Sequence, residues 1–185
     1  IMVYDDADPR EVASAIIRSG FGYQGRKCSA ASRVYMTDEM WKKVKPVLEQ
    51  YMQEITIGDD MVNFTCYIGA IISKQEYEKI VGYIERARLA TGTKEIIDGQ
   101  YISTEKGYWI RPCVIVTENP HAETMEEEIF GPVVTVFTRG SIKDLESRAL
   151  AASPYRLTGS VQTNDICQLS RGLETFRFGP GNIYD

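Results

Sequence analysis

The feature that most restricts the fold is an alternation of short apolar runs with longer amphipathic stretches. Ile1 to Tyr4, Arg33 to Met36, Cys113 to Val116, Val133 to Phe137 and Gly159 to Gln162 have the length and apolar density of strands. Between most of them, apolar side chains recur three and four residues apart, which places them on one face of a helix. Strand and helix in succession predict parallel strands, because a parallel pair needs a crossover and a helix is its usual form. Val133 to Phe137 is apolar almost throughout, as a strand covered on both faces should be. The expected fold is α/β, a largely parallel sheet with helices on both faces, in one domain over residues 1–185.

The helix boundaries carry their own chemistry. Asp8 before Pro9 predicts an N-cap followed by a first-turn proline. Val12, Ala15, Ile16, Ser19 and Gly20 then share a face poor in charge, and Tyr23-Gln24-Gly25 ends that helix. Thr37 should cap a helix bearing Met40, Trp41, Val44, Val47, Leu48 and Tyr51, with a kink or break at Pro46. Ser73-x-x-Glu76 matches a capping box ahead of Tyr77, Ile80, Val81 and Ile84. Glu95 to Ile97 and Trp109-Ile110 are strand-like. Ser141-x-x-Asp144 opens a helix through Leu145, Ala149 and Leu150, and Asn164 should cap one with Leu169, Leu173 and Phe176. Gly181 to Tyr184 begins a last strand. No internal repeat or linker interrupts this order.

Composition narrows the function. With 21 basic and 26 acidic residues the net charge is -5, and the only basic cluster is Arg26-Lys27 with Arg33 nearby. Backbone binding to nucleic acid normally needs more positive charge than that, so no nucleic-acid partner is expected. No apolar run reaches the roughly 18 residues of a membrane span. The four cysteines, Cys28, Cys66, Cys113 and Cys167, form no Cys-x-x-Cys, and His121 is the only histidine. Neither a metal site nor a disulfide scaffold is expected, and reduced thiols are. The chain starts Ile1-Met2-Val3-Tyr4 with no basic leader, which suggests the inside of a longer chain.

Cys28 is the first candidate for chemistry. It falls in a glycine-bearing turn between a helix and a strand, directly after Arg26-Lys27, and neighbouring cations favour thiolate over thiol. Ser29 adds a hydroxyl, and local backbone N–H groups could face a developing oxyanion. A buried structural cysteine beside a surface basic pair is the competing reading. Cys66, Cys113 and Cys167 sit in apolar or helical patterns and read as core or inert, and His121 reads as part of a solvated loop. The second candidate is Glu126-Glu127-Glu128-Ile129-Phe130-Gly131-Pro132, where a carboxylate could accept from ribose hydroxyls and Phe130 could pack on a flat ring. A solvated acidic turn before a buried strand is the alternative there.

Gln24-Gly25-Arg26-Lys27-Cys28-Ser29-Ala30-Ala31-Ser32-Arg33 closely resembles the nucleophile segment of the aldehyde dehydrogenase superfamily. Glu127-Glu128-Ile129-Phe130-Gly131-Pro132 resembles its second signature. Leu157-Thr158-Gly159-Ser160-Val161 and Gly181-Asn182 resemble later landmarks in the same order, so the likeness covers nearly the whole chain. Lys-Cys-Ser-Ala-x-Ser-Arg, Met125 to Val134 and the Pro154-Tyr155-x-Leu157-Thr158-Gly159 region are similar to the branch that oxidises glutamate semialdehyde, the 1-pyrroline-5-carboxylate dehydrogenases of proline breakdown.

The resemblance implies a catalytic domain using NAD, with Cys28 as nucleophile passing through a thiohemiacetal and a thioester. It implies Glu128 on the nicotinamide ribose, Phe130 against the nicotinamide ring, and Ser29 and Lys27 toward the polar end of a small aldehyde substrate. It also implies that a Rossmann-like cofactor domain, the carboxylate general base, an oxyanion-hole asparagine and an oligomerisation segment lie outside these residues. The 185 residues alone are then expected to be inactive, within a full-length homo-oligomer of the mitochondrial matrix or the bacterial cytoplasm. Arg26 departs from the usual glutamine, Arg156 from a small residue, and Phe178-Gly179-Pro180 is unusual before Gly181. A non-catalytic relative with an assembly role is the alternative.

Overall fold

A computed structural model describes residues 1–59, 62–155, 157–176 and 182–184. Strand β1 (Met2–Val3) leads through α1 (Pro9–Phe21) to β2 (Arg33–Tyr35), its parallel neighbour, which is one complete βαβ unit. Helices α2 (Asp38–Glu54) and α3 (Lys74–Leu89) carry the chain to β3 (Thr93–Asp98). A hairpin of β4 (Tyr101–Thr104) and β5 (Gly107–Ile110) follows, then β6 (Cys113–Thr117), the short α4 (Glu123–Glu126) and β7 (Val133–Phe137). Helix α5 (Ile142–Ala151), β8 (Thr158–Gln162), α6 (Ile166–Phe176) and β9 (Asn182–Tyr184) complete the order. The main sheet runs β3-β6-β7-β2-β1-β8-β9, with β3 antiparallel to β6 and the other neighbours parallel. The expected α/β architecture is the one found.

Strand alternation assigns the two faces. Val3, Val34, Met36, Val114, Val116, Val134 and Val136 pack with Val12, Ile16 and Phe21 of α1 and Met40, Val44 and Leu48 of α2. The residues between them point the other way. Cys113, Ile115 and Val133 meet Tyr77, Ile80 and Ile84 of α3, while Met2, Tyr4, Tyr35 and Phe137 meet Leu145 of α5 and Phe176 of α6. With a period of two along each strand, both faces are filled by one set of sequences.

Several local expectations hold and several change. Asp8 caps α1 by accepting from the Arg10 N–H at 2.7 Å, and Ser141 and Asp144 form a reciprocal capping box on α5. Helix α2 runs through Pro46 without a break. Pro46 lies on its exposed side, as does Lys42, whose carbonyl loses the proline's missing N–H and is open to solvent, while Val44 and Leu48 hold the buried side. At α3 only half of the capping box forms. Ser73 accepts from the Glu76 N–H at 3.2 Å, but the Glu76 carboxylate turns to Arg26 instead. The cap of α6 is Asp165, which accepts from the Cys167 N–H at 2.7 Å, rather than Asn164, whose amide donates to the Asp6 carbonyl.

Strand β4 was not anticipated: its residues are exposed, so no buried face marks it. Cys113 is buried as expected, whereas Cys167 stands exposed on α6, and all four cysteines are free thiols. Arg156, Phe178-Gly179-Pro180 and Gly181 fall outside the described residues, while Asn182 to Tyr184 do form a strand. Among the described residues no helix is long and apolar enough to cross a membrane.

Leu48 is fully buried in the core that α1 and α2 share with the sheet, so Leu48→Ala should lower the unfolding free energy by about 2–5 kcal/mol in urea titrations. Tyr35 provides a pH test. Burial pushes its phenol from 10.0 up to about 12, so the folded state keeps a proton that the unfolded state releases. That contribution is complete below pH 10 and is lost as pH rises toward 12, and Tyr35→Phe should flatten the alkaline decline in the urea midpoint.

Candidate active site

Three loops lead into the amino ends of strands that lie close together in the sheet. Residues 24–32 precede β2, 127–132 precede β7, and 152–155 with 157 precede β8. Between them lies a cavity of about 580 Å³, lined by Lys27, Cys28, Ser29, Glu128 and Phe130 among others. All five site residues expected from the sequence therefore share one cavity. Its place is unusual for a parallel sheet, where ligands more often sit at the carboxyl ends of strands.

The Cys28 loop begins with a backbone reversal. After α1, Tyr23, Gln24 and Gly25 follow at φ of 56°, 57° and 65°. Left-handed backbone costs roughly 1–2 kcal/mol per non-glycine residue, so tertiary contacts must hold Tyr23 and Gln24 there. At Gly25 no side chain is tolerable: an added Cβ would lie 2.2 Å from the Gly131 carbonyl oxygen. Gly131 in turn has no room for a Cβ beside Ile80 of α3, at 2.6 Å. The two loops thus meet backbone to backbone, with α3 behind them.

Beyond Gly25, the Ala30 N–H donates to the Lys27 carbonyl at 2.9 Å, which puts Cys28 and Ser29 at the corner of a turn. Cys28 is exposed, and this overturns the buried structural reading. Neither the Cys28 nor the Ser29 N–H is taken by an acceptor among the described residues, so both are available to a polar group in the cavity. The far side of the loop is tied down. The Ala31 N–H donates to the Ser19 carbonyl at 3.0 Å, the Thr135 N–H to the Ser32 carbonyl at 2.9 Å, and the Thr158 hydroxyl to the Ser29 carbonyl at 3.3 Å.

In the second loop Glu128 is exposed to the cavity and Phe130 is half-buried at φ 57°. The Arg26 guanidinium stands 5.1 Å from the Phe130 ring centre and donates to the Phe130 carbonyl at 3.2 Å. It also pairs with Glu76 at 2.9 Å and holds the Glu76 carboxyl below its ordinary range. Among the described residues Arg18, Lys27 and Arg33 line the cavity against one carboxylate, that of Glu128, so its walls favour an anionic guest.

Arg33, whose guanidinium donates to the Tyr155 and Met125 carbonyls, ties the start of β2 to the third loop and to α4, a role not expected from the sequence. Its place at the end of the segment around Cys28 was the available signal. Tyr155 and Thr158 likewise lay in a noted landmark without an assigned part. His121 is exposed, bonds Glu126 at 2.8 Å and does not line the cavity, as a solvated loop residue should. Among the described residues there is no group of three His, Cys, Asp or Glu side chains placed to hold a metal.

The family model for the aldehyde dehydrogenase family matches residues 1–185. The chain belongs to the aldehyde dehydrogenase family. It is 35% identical over 184 residues to the mitochondrial delta-1-pyrroline-5-carboxylate dehydrogenase of Danio rerio, covering 98% of this chain and 33% of that protein. It is 33% identical over 186 residues to the 1-pyrroline-5-carboxylate dehydrogenase of a Geobacillus strain, covering 100% of this chain and 34% of that protein. The crystal structure of the Mycobacterium tuberculosis delta-pyrroline-5-carboxylate dehydrogenase bound with NAD superposes with a TM-score of 0.87 at 31% identity, covering 99% of this chain and 33% of that one. The chain thus spans about a third of the length of these aldehyde dehydrogenases.

Gly25→Ala should be among the most damaging single changes in this aldehyde dehydrogenase segment, because it combines an unfavourable φ with a clash against backbone. A drop of roughly 3 kcal/mol or more in urea unfolding is expected, against under about 0.5 kcal/mol for an exposed change such as Lys43→Ala.

Proposed function

We propose that this chain is the nucleophile-bearing part of an NAD-dependent dehydrogenase that oxidises glutamate semialdehyde to glutamate. The carrying observation is the single cavity that gathers Cys28, Ser29 and Lys27 with Glu128 and Phe130. The similarity to 1-pyrroline-5-carboxylate dehydrogenases supports the choice of substrate, and the cationic lining suits an aldehyde bearing a carboxylate. The Rossmann-like cofactor domain, the general base and the oligomerisation segment are supplied by the rest of a longer protein, which assembles as a homo-oligomer. Its compartment is the mitochondrial matrix in a eukaryote and the cytoplasm in a bacterium, in keeping with the relatives' names.

The donor set at this end of the cavity fits NAD. An ionised carboxylate accepts only, which suits Glu128 to a ribose diol, and the half-buried Phe130 ring offers a flat apolar surface. Hydride acceptance is the chemistry that bound NAD supplies. The chain's own part centres on Cys28. Its thiolate sulfur adds to the aldehyde carbon, forming a C–S bond while the carbonyl π electrons move to oxygen. The Cys28 and Ser29 N–H groups stand at this corner to meet the developing oxyanion. Loss of hydride from that carbon leaves a thioester on Cys28, and water breaks its C–S bond, releasing the carboxylate and the Cys28 thiolate while two protons pass to solvent. Lys27 and the Ser29 hydroxyl meet the polar end of the substrate through charge-assisted hydrogen bonds.

The test follows NADH formation from glutamate semialdehyde with the full-length protein, its Cys28→Ala variant and the isolated 185 residues. The full-length protein should turn over, and Cys28→Ala should lose at least about a thousandfold in kcat. The isolated chain should show none. Robust NADH formation by the isolated chain would sink the division of labour, and activity surviving Cys28→Ala would sink the nucleophile. An inactive full-length protein whose Cys28 resists thiol reagents would favour an assembly role. Glu128→Gln should raise KM for NAD about tenfold, with a smaller change in kcat.

A further inference from the structure

We propose that Arg26 is a positioning residue that ties the Cys28 turn to the Phe130 loop, fixing the nucleophile and the ring in one mutual geometry. The inference rests on the reading of the cavity given above, but it concerns a side chain that does not line the cavity. Arg26 is two residues before Cys28 and reaches the second loop at two points. Its Nη1 donates to the Phe130 carbonyl at 3.2 Å, and its Cζ stands 5.1 Å from the centre of the same ring. The other acceptor on Nη1 is Glu76 at 2.9 Å, at the start of α3. The side chains of Arg26 and Glu76 are only 16% and 27% exposed, so the pair is shielded from competing water.

Each partner requires something to hold it. Phe130 is held at φ 57°, where a non-glycine residue does not rest by itself, and its carbonyl direction is set by that backbone. Directly before Arg26, Gly25 packs against the Gly131 carbonyl, so the arginine leaves the nucleophile loop where the loops already touch. Glu76 gives up its place in the α3 capping box for this contact. Its carboxyl lies below the ordinary range because of Arg26, so the bridge is ionised at neutral pH. A glutamine at position 26 would bring an NH2 group but no charge for Glu76 or for the face of the Phe130 ring.

The experiment uses the full-length protein with Arg26→Ala, Arg26→Gln, Glu76→Gln and the Arg26→Ala/Glu76→Gln double variant. Three readouts are taken: KM for NAD against kcat, the rate of Cys28 alkylation by iodoacetamide followed on the Cys28 peptide, and thermal melting. Arg26→Ala should raise KM for NAD about tenfold with a smaller loss in kcat, and slow Cys28 alkylation about threefold. Glu76→Gln should shift both in the same direction by less, and the double variant should be no worse than Arg26→Ala, because Glu76 acts through the arginine. Arg26→Gln should fall between Arg26→Ala and the native protein. KM and alkylation within about twofold of the native values in every variant would overturn the proposal. So would losses that merely follow the fraction unfolded on melting. A full-length protein that forms no NADH would remove the dehydrogenase reading alone, and the alkylation rates would then decide for or against Arg26.

Discussion

The site depends on one pairing, that of β2 with β7 in parallel register. Arg33 lies opposite Thr135 and Tyr35 opposite Phe137, and the Ser32 carbonyl already accepts from the Thr135 N–H before β2 begins. Two strands that run the same way bring their preceding loops to the same edge of the sheet. Residues 24–32 and 127–132 are about a hundred positions apart in sequence, yet they become neighbours because β2 and β7 do. A slip of one residue would turn Val134 and Val136 away from α1 and α2, so the valines that fill the core also set the register of the site.

On that base the loops carry strain. Among the non-glycine residues described at positive φ, Gln24 and Phe130 belong to the two loops, Tyr23 directly precedes the first, and Asp98 precedes the hairpin. Such conformations persist where surrounding contacts over-determine them. Here the contacts are a chain of close approaches. Gly20 of α1 has no room for a Cβ beside Val134, Gly25 none beside Gly131, and Gly131 none beside Ile80. Arg26 then closes the loop-to-loop contact with a charge. The Cys28 turn is therefore exposed at its tip and tightly held at its base.

Much of this was legible from residue types. Apolar runs gave the order of most strands, and Asp8, Thr37, Ser73 and Ser141 announced helix starts through their short acceptor side chains. The misreadings share a cause: more than one residue could satisfy the same local rule. Asn164 and Asp165 can both cap a helix, and only the approach of Asp6 decides which does. Glu76 can close a capping box or pair with a cation, and Arg26 takes it although they are 50 positions apart. Pro46 breaks a helix when its face is needed for packing, but it stands on the solvent side of α2. Strand β4 is exposed along its length, so no alternation marked it.

By itself the sequence determined the α/β class, the covering of both sheet faces and the residue types of the site, because periodicity and local hydrogen-bonding chemistry act over a few residues. It also carried the family likeness in two contiguous segments around Cys28 and Glu128. Tertiary structure decided that those segments share one cavity, that Cys28 is exposed, that Arg26 ties the two loops together, and that Arg33 reaches Tyr155 and Met125. These facts depend on strand order and on which backbones approach within van der Waals distance. Such approaches are set by packing between distant residues, and no local pattern encodes them.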